Sequence, residues 1–244
     1  MTHFYLDGKP YYTVKGANGK ERPTTLKDAK KVGAVVGVTS IIGQREKPAL
    51  GIWQQLRLLD IVESYPNLVG KSANWKNTLL AMSNERNSSY SREGNRIHDA
   101  IESYFNGEGV DPENEALVYP TVQLLESMYP DALFESEKSF SHAEGFGGCI
   151  DLVVHTPIGK VLIDFKTKNK SGLSSKMCGD DYCMQLAAYR RAEGADDVIA
   201  CMNILISLES PGEIFVHVWS DDQIERSEKM FLALLEFWKL SNKL

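Results

Sequence analysis

Hydrophobic and polar positions change period several times along the chain, and each change marks an element. "VTSIIG" offers Ser40 as an early cap for a short helix, and the apolar-periodic run from Pro48 to just before Pro66 predicts a longer helix carrying Trp53. Between Trp75 and Phe105, the residues Ile97, Ile101, Tyr104 and Phe105 fall on one helical face, and "NGEG" ends the pattern. "PENEALVYPTVQLLESMYP" predicts a further helix directly afterwards.

The period then shortens. "ALFESEKSFSHAEGFGGCIDLVVHTPIGKVLIDFKTK" is rich in alternating and β-branched residues and turns at Thr156 to Gly159, so it predicts at least three strands. "DDYCMQLAAYRRAEGA" returns to helical periodicity and stops at Gly194. "VIACMNILISL" and "EIFVHVWS" read as strands, and "DDQIERSEKMFLALLEFWKLSNKL" as a capped terminal helix. Residues 1–36 mix Phe4, Tyr5, Tyr11 and Tyr12 with turns such as "GANGKERP", which predicts a short hairpin or extended arm, either peripheral or a flap over the substrate. The order predicts an α/β protein with a mixed sheet, divided into an arm at 1–36, a helical region at 37–130 and a core at 131–244.

Composition changes this picture little. A chain of 244 residues is long enough to bury a sizeable core, and 43% hydrophobic with 25% charged residues excludes wholesale disorder. Twenty-seven Lys and Arg against 33 Asp and Glu give a formal charge of -6, so the overall field does not favour a polyanion. A nucleic-acid site must then be a local basic patch, helped by bound cations. No apolar run reaches the ~18 residues of a membrane span, and the start lacks a basic end followed by an apolar run, so a soluble, unexported protein is expected. Cys149, Cys178, Cys183 and Cys201 lack CxxC spacing, which predicts reduced thiols and no metal cluster. No GxxxxGK[ST] occurs, so no nucleotide cofactor is expected, and any unwinding would come from another protein.

The candidate chemistry lies in the hairpin "GGCIDLVVHTPIGKVLIDFKTK". Side chains at i and i+2 of a strand share a face, so Asp164 and Lys166 point together, and Asp151 approaches them if the preceding strand pairs across the turn. Two close carboxylates resist joint ionisation without a cation, and hard divalent cations prefer oxygen ligands. Asp151 and Asp164 therefore make a plausible seat for Mg²⁺ or Mn²⁺, with Lys166 beside it to stabilise charge on a phosphorane or to orient water. The bland alternative is a solvated Asp164–Lys166 ion pair, which the apolar neighbours oppose. Gln185 and Tyr189, at i and i+4, lie on one face of the following helix, where they either belong to an amphipathic core or hold a phosphate or the lysine.

These residues resemble the PD-(D/E)XK nucleases, with Asp151 and "DFK" as the motif. "EGNRIHDAIESYF", "GGCIDLVV" and "CMQLAAYR" resemble the RecB-like branch in the same order. That branch includes mitochondrial genome-maintenance and phage exonucleases, whose opening segment Val38 to Trp53 also resembles. The resemblance implies a restriction-endonuclease-like core, a mixed central β-sheet flanked by helices, behind a helical N-terminal half. It implies His98, Asp151, Asp164 and the backbone carbonyl of Phe165 as metal ligands, Lys166 as the catalytic lysine, and Gln185 and Tyr189 as the QxxxY pair. Glu137 resembles the family's additional acidic position, with Glu135 competing for it. Some relatives hold an iron–sulfur cluster with one N-terminal and three C-terminal cysteines; here no cysteine precedes Cys149 or follows Cys201, so none is expected.

Candidate phosphate contacts are Arg86, Arg92 and Arg96 before His98, Lys168, Lys170 and Lys176 after the hairpin, and Arg190 and Arg191 after the QxxxY pair. Trp53, Trp75 and Tyr90 are candidates for stacking on bases, although core packing competes for Trp53, and "SNERNSSYSREGN" reads as a candidate lid over the strand path. The leading expectation is a two-metal DNA exonuclease in recombination or repair, working beside a recombination or replication partner in the cytoplasm of a bacterium or phage-infected cell. The alternatives are a structure-specific or restriction-type endonuclease and a non-catalytic nucleic-acid-binding accessory protein.

Overall fold

The aromatic N-terminal stretch is stitched into the central sheet. A computed structural model describes residues 2–45 and 48–243, leaving aside the side chains at 48, 49, 86, 87, 90 and 91. Phe4–Leu6 (β1) pairs antiparallel with Lys9–Pro10 (β2), while Thr13–Lys15 (β3) and Glu21–Pro23 (β4) form a separate hairpin. Leu26–Val32 (α1), held by a Thr25–Asp28 capping box, leads to Val35–Gly37 (β5), which pairs antiparallel with β1. Residues 1–36 thus hold two short hairpins, as expected, but Phe4, Tyr5 and Val36 are buried, and this need for cover draws the first hairpin into the central sheet rather than leaving it peripheral.

β5 runs straight into Val38–Ile42 (α2), with the extended Gly37 as its N-terminal cap. Ser40, expected as that cap, lies inside α2, where its Oγ accepts the His3 backbone N–H at 2.9 Å. Pro48–Ser64 (α3) and Trp75–Phe105 (α4) follow, and the polar run expected as a lid is continuous with α4. An Arg92–Glu85 ion pair at 2.8 Å lies along that polar run. Glu115–Met128 (α5) buries Leu117, Val118, Val122 and Leu125.

Leu133–His142 (β6), Phe146–Thr156 (β7) and Gly159–Lys168 (β8) form the expected antiparallel strands. Asp180–Glu193 (α6) then crosses over to Val198–Ser207 (β9), which is parallel to β8 and pairs antiparallel with Ile214–Val218 (β10). Asp221–Ser241 (α7) closes the chain with a Ser220–Gln223 capping box. The result is an α/β fold with a mixed central sheet flanked by helices, consistent with the restriction-endonuclease-like core that the resemblance implied. The core joins α2, α6 and α7 to the sheet through residues such as Ile41, Phe146, Leu162, Leu186 and Phe231.

The chain divides into two compact units, Met1–Gln44 with His98–Leu244, and Arg45–Ile97. In the second, Ile61 and Leu79 are buried, and Ile61, Tyr65, Ala81 and Met82 help line a cleft.

On one edge of β7, β5 pairs with Phe146 and Gly147, and β8 pairs with Leu152 to Thr156, so residues 148–151 lie between two ladders. The other edge carries β6, and that ladder skips Glu137 and Asp151. Gly147 and Gly148 permit the close packing around this gap. A methyl on Gly147 would sit 2.8 Å from both the Phe140 carbonyl oxygen and Tyr5 Cβ, and one on Gly148 would sit 3.0 Å from the Tyr189 ring. Gly147→Ala is therefore expected to destabilise the protein by about 1–3 kcal/mol through overpacking against backbone. Chemical denaturation checks this, and an unchanged midpoint would contradict the packing account.

Candidate active site

The site forms where the pairing of β7 is interrupted. Without a ladder partner at that point, the Asp151 Oδ2 accepts the Phe165 backbone N–H at 2.8 Å, joining β7 to β8 through a side chain. The same oxygen lies 3.3 Å from His98 Nδ1, on the α4 face that also buries Ile97 and Ile101. The His98 ring meets Phe165 edge-on, with centroids 6.1 Å apart.

Glu137 completes this group. In an unbroken strand Glu135 and Glu137 would share a face, but Glu137 has a φ of 47°, in the left-handed region that residues other than glycine seldom adopt. The two carboxylates separate. Glu135 meets His155 at 2.9 Å and Lys138 at 3.3 Å, and Lys138 and Lys160 both reach the buried carboxylate of Glu193. Glu137 instead joins His98 and Asp151, with one ligand atom from each within 4.8 Å of the others. Of the two competing acidic positions, Glu137 is thus the one at the cluster. Burial raises its carboxyl above the ordinary range, a hydrogen bond from the Cys149 thiol at 3.0 Å opposes the rise, and the Asp151 charge adds to it.

Asp164 and Lys166 form the neighbouring pair, and it is no solvated one. Asp164 is fully buried, with Lys166 Nζ 2.7 Å from each of its carboxylate oxygens. From β9, Asn203 Nδ2 donates to Asp164 Oδ2 at 2.6 Å, and Asn203 Oδ1 accepts the Trp219 indole N–H at 2.7 Å. Burial pushes the Asp164 carboxyl above its usual range, Lys166 opposes that push, and Asp151 reinforces it. Burial alone would lower the Lys166 ammonium, but the charges of Asp164 and Asp151 outweigh it and hold the group above its ordinary value.

Gln185 and Tyr189 sit as the helical spacing predicted. Gln185 Nε2 donates to the Tyr189 hydroxyl at 2.8 Å, and the Tyr189 ring packs edge-on against Phe140. Burial, then the nearby Asp164 and Asp151 charges, raises the phenol well above its ordinary range. Lys168 donates to the Tyr182 hydroxyl at 2.7 Å, and the ammonium groups of Lys166 and Lys168 lie 5.2 and 4.9 Å from the Tyr182 ring centre.

Arg190 helps line a separate cleft of about 280 Å³ with Val198–Cys201 and Trp219–Asp221. Arg191 is tied to Glu144 and Glu228. Arg92, Arg96 and Trp53 belong to the second compact unit, where Arg92 pairs with Glu85 and the Arg57 guanidinium lies 5.4 Å from the Trp53 ring centre. Trp53 is partly exposed on α3, outside the core packing that competed for it. The side chains of Arg86 and Tyr90 lie outside the described residues.

Asn203, Tyr182 and Cys149 also border the site, and no motif in the chain marks them. Asn203 carries the clearest signal, a lone amide in the apolar strand "VIACMNILIS". Tyr182 and Cys149 become meaningful only through tertiary contacts.

No protein-family model matches the chain, and no curated protein matches it. Among solved structures, an alkaline exonuclease from Laribacter hongkongensis is similar at 16% identity and a TM-score of 0.34, over 75% of this chain and 88% of its own. A candidate exonuclease from Eubacterium rectale is similar at 12% identity and a TM-score of 0.40, over 60% of this chain and 66% of its own.

Lys166→Met removes the cation that compensates the buried Asp164 carboxylate. The expected loss is about 1–3 kcal/mol at neutral pH. Because the folded Asp164 carboxyl is raised above its unfolded value of 3.8, ionising it opposes folding as pH rises and ceases to do so once pH falls below that value. The gap between wild type and variant should therefore narrow in acid. Denaturation curves across that range check it, and a gap that is constant or widens in acid would refute the pairing account.

Proposed function

We propose that this chain is a divalent-metal-dependent deoxyribonuclease that hydrolyses phosphodiester bonds from DNA ends. The observation that carries this reading is the convergence of His98, Glu137 and Asp151 beside the buried Asp164–Lys166 pair. Two carboxylates and one imidazole suit Mg²⁺ or Mn²⁺, and the mixed donor set fits such an ion better than a thiolate-seeking one. His98, Glu137, Asp151, Asp164 and the Phe165 carbonyl would hold the metal ions, and a bound ion would activate water and neutralise charge on the scissile phosphate.

The protein's own groups supply the rest of the reaction. Hydrolysis forms a bond from water oxygen to phosphorus and breaks the bond from phosphorus to the leaving sugar oxygen, which gains a proton. Lys166 would donate hydrogen bonds to the phosphate as negative charge builds up. Gln185 and Tyr189 would keep the α6 side of the pocket in register with Lys166, and Tyr182 would hold the lysines near the phosphate. Arg92, Arg96, Lys168 and Arg190 are proposed phosphate contacts, with Trp53 and Tyr90 as stacking groups. Preference for ends rests on the resemblance of Val38 to Trp53 to the opening of exonucleases in the RecB-like branch.

End-labelled linear DNA and matched covalently closed circles, incubated with Mg²⁺, Mn²⁺ or EDTA, test this reading. Wild type should degrade only the linear form and only with metal. Lys166→Ala, Asp151→Asn and Glu137→Gln should each lower the rate by about 10²-fold or more. Cleavage of circles would replace the exonuclease with an endonuclease, and DNA binding without cleavage in either metal would support the accessory-protein reading.

A further inference from the structure

Behind Asp164 the fold holds a polar chain that the proposed chemistry does not use. Asn203 is completely buried in β9, at the position paired in register with Asp164. Its Nδ2 donates twice, to Asp164 Oδ2 at 2.6 Å and to the Asp164 backbone oxygen at 3.2 Å. Its Oδ1 accepts from Trp219 Nε1 at 2.7 Å.

The chemistry of these groups leaves the amide one orientation. An indole N–H only donates, so the amide atom facing it must be the oxygen, and the NH₂ must then face Asp164. Trp219 is itself fixed, since its backbone N–H donates to the Cys201 carbonyl at 3.0 Å and its ring lies edge-on to His217 with centroids 4.3 Å apart. An amide in an apolar strand costs free energy unless all its polar atoms are paired, and here they are. Removing the donor would leave Lys166 as the partner of both Asp164 oxygens and loosen the hold on the carboxylate's orientation.

Resting on the nuclease reading, we infer that Asn203, locked by Trp219, is a positioning residue that holds Asp164 Oδ2 from the β9 side and so fixes how the carboxylate, bridged by Lys166 at both oxygens, faces the cation. Groups that orient a ligand without touching the metal commonly account for about 10–100-fold in metal affinity. The pair belongs to the metal site although neither residue would contact the metal.

Mn²⁺ binding to the full chain without DNA, measured by electron paramagnetic resonance, tests the inference. Asn203→Ala should weaken binding about 10–100-fold. Trp219→Phe, which retains an aromatic ring but lacks the N–H, should weaken it in the same direction by a smaller factor. In an Asp164→Ala background, Asn203→Ala should produce no further loss, because it acts through that carboxylate. The metal concentration for half-maximal cleavage should rise in Asn203→Ala, and saturating metal should recover most of the rate, a pattern that partial unfolding would not give. If Asn203→Ala fails to fold, Trp219→Phe carries the test. Folded variants that bind Mn²⁺ like wild type would overturn the positioning role while leaving an active wild-type nuclease intact. A wild type that neither binds Mn²⁺ nor cleaves DNA would overturn the nuclease reading and this inference with it.

Discussion

The buried carboxylate of Asp164 is the constraint on which the rest of the structure depends. A full negative charge inside a sheet is costly unless every lone pair is answered, and three elements are arranged to answer it. β8 supplies Lys166 two residues on, β9 supplies Asn203 in register, and the chain after β10 supplies the indole that fixes Asn203. The parallel pairing of β8 with β9 across α6 brings these groups together. The crossover that builds the sheet is thus also what makes the charge tolerable.

The second organising feature is a controlled defect. β7 changes partner from β5 to β8 along one edge, and its ladder with β6 skips the Glu137–Asp151 position. Asp151 therefore bonds to the Phe165 backbone with its side chain, and Glu137 turns through a left-handed φ. A regular sheet would have buried these groups against neighbouring strands. The interruption instead brings two carboxylates and His98 together, with one ligand atom from each within 4.8 Å of the others.

Much of this was legible in the chain. The period of the apolar residues located the hairpin, the helices and the terminal strands, and the i, i+2 rule placed Asp164 with Lys166 on one face. The i, i+4 spacing likewise placed Gln185 beside Tyr189. Local patterns could not show that Phe4, Tyr5 and Val36 join the sheet, because that pairing spans more than a hundred residues to β7. Nor could they choose between Glu135 and Glu137, since the choice depends on one backbone angle that separates two residues of the same strand. Ser40 looked like a cap because it is polar and precedes apolar residues, yet β5 enters α2 so directly that Gly37 takes that position.

The proposed nuclease chemistry requires that His98, Glu137 and Asp151 form a cation seat beside the Asp164–Lys166 pair. Crystals grown with Mn²⁺ and measured for its anomalous scattering test this most directly. The account predicts a peak about 2.0–2.3 Å from donor atoms of all three residues. An ion that binds only to exposed acidic groups elsewhere, leaving this cluster without a peak at saturating Mn²⁺, would contradict it.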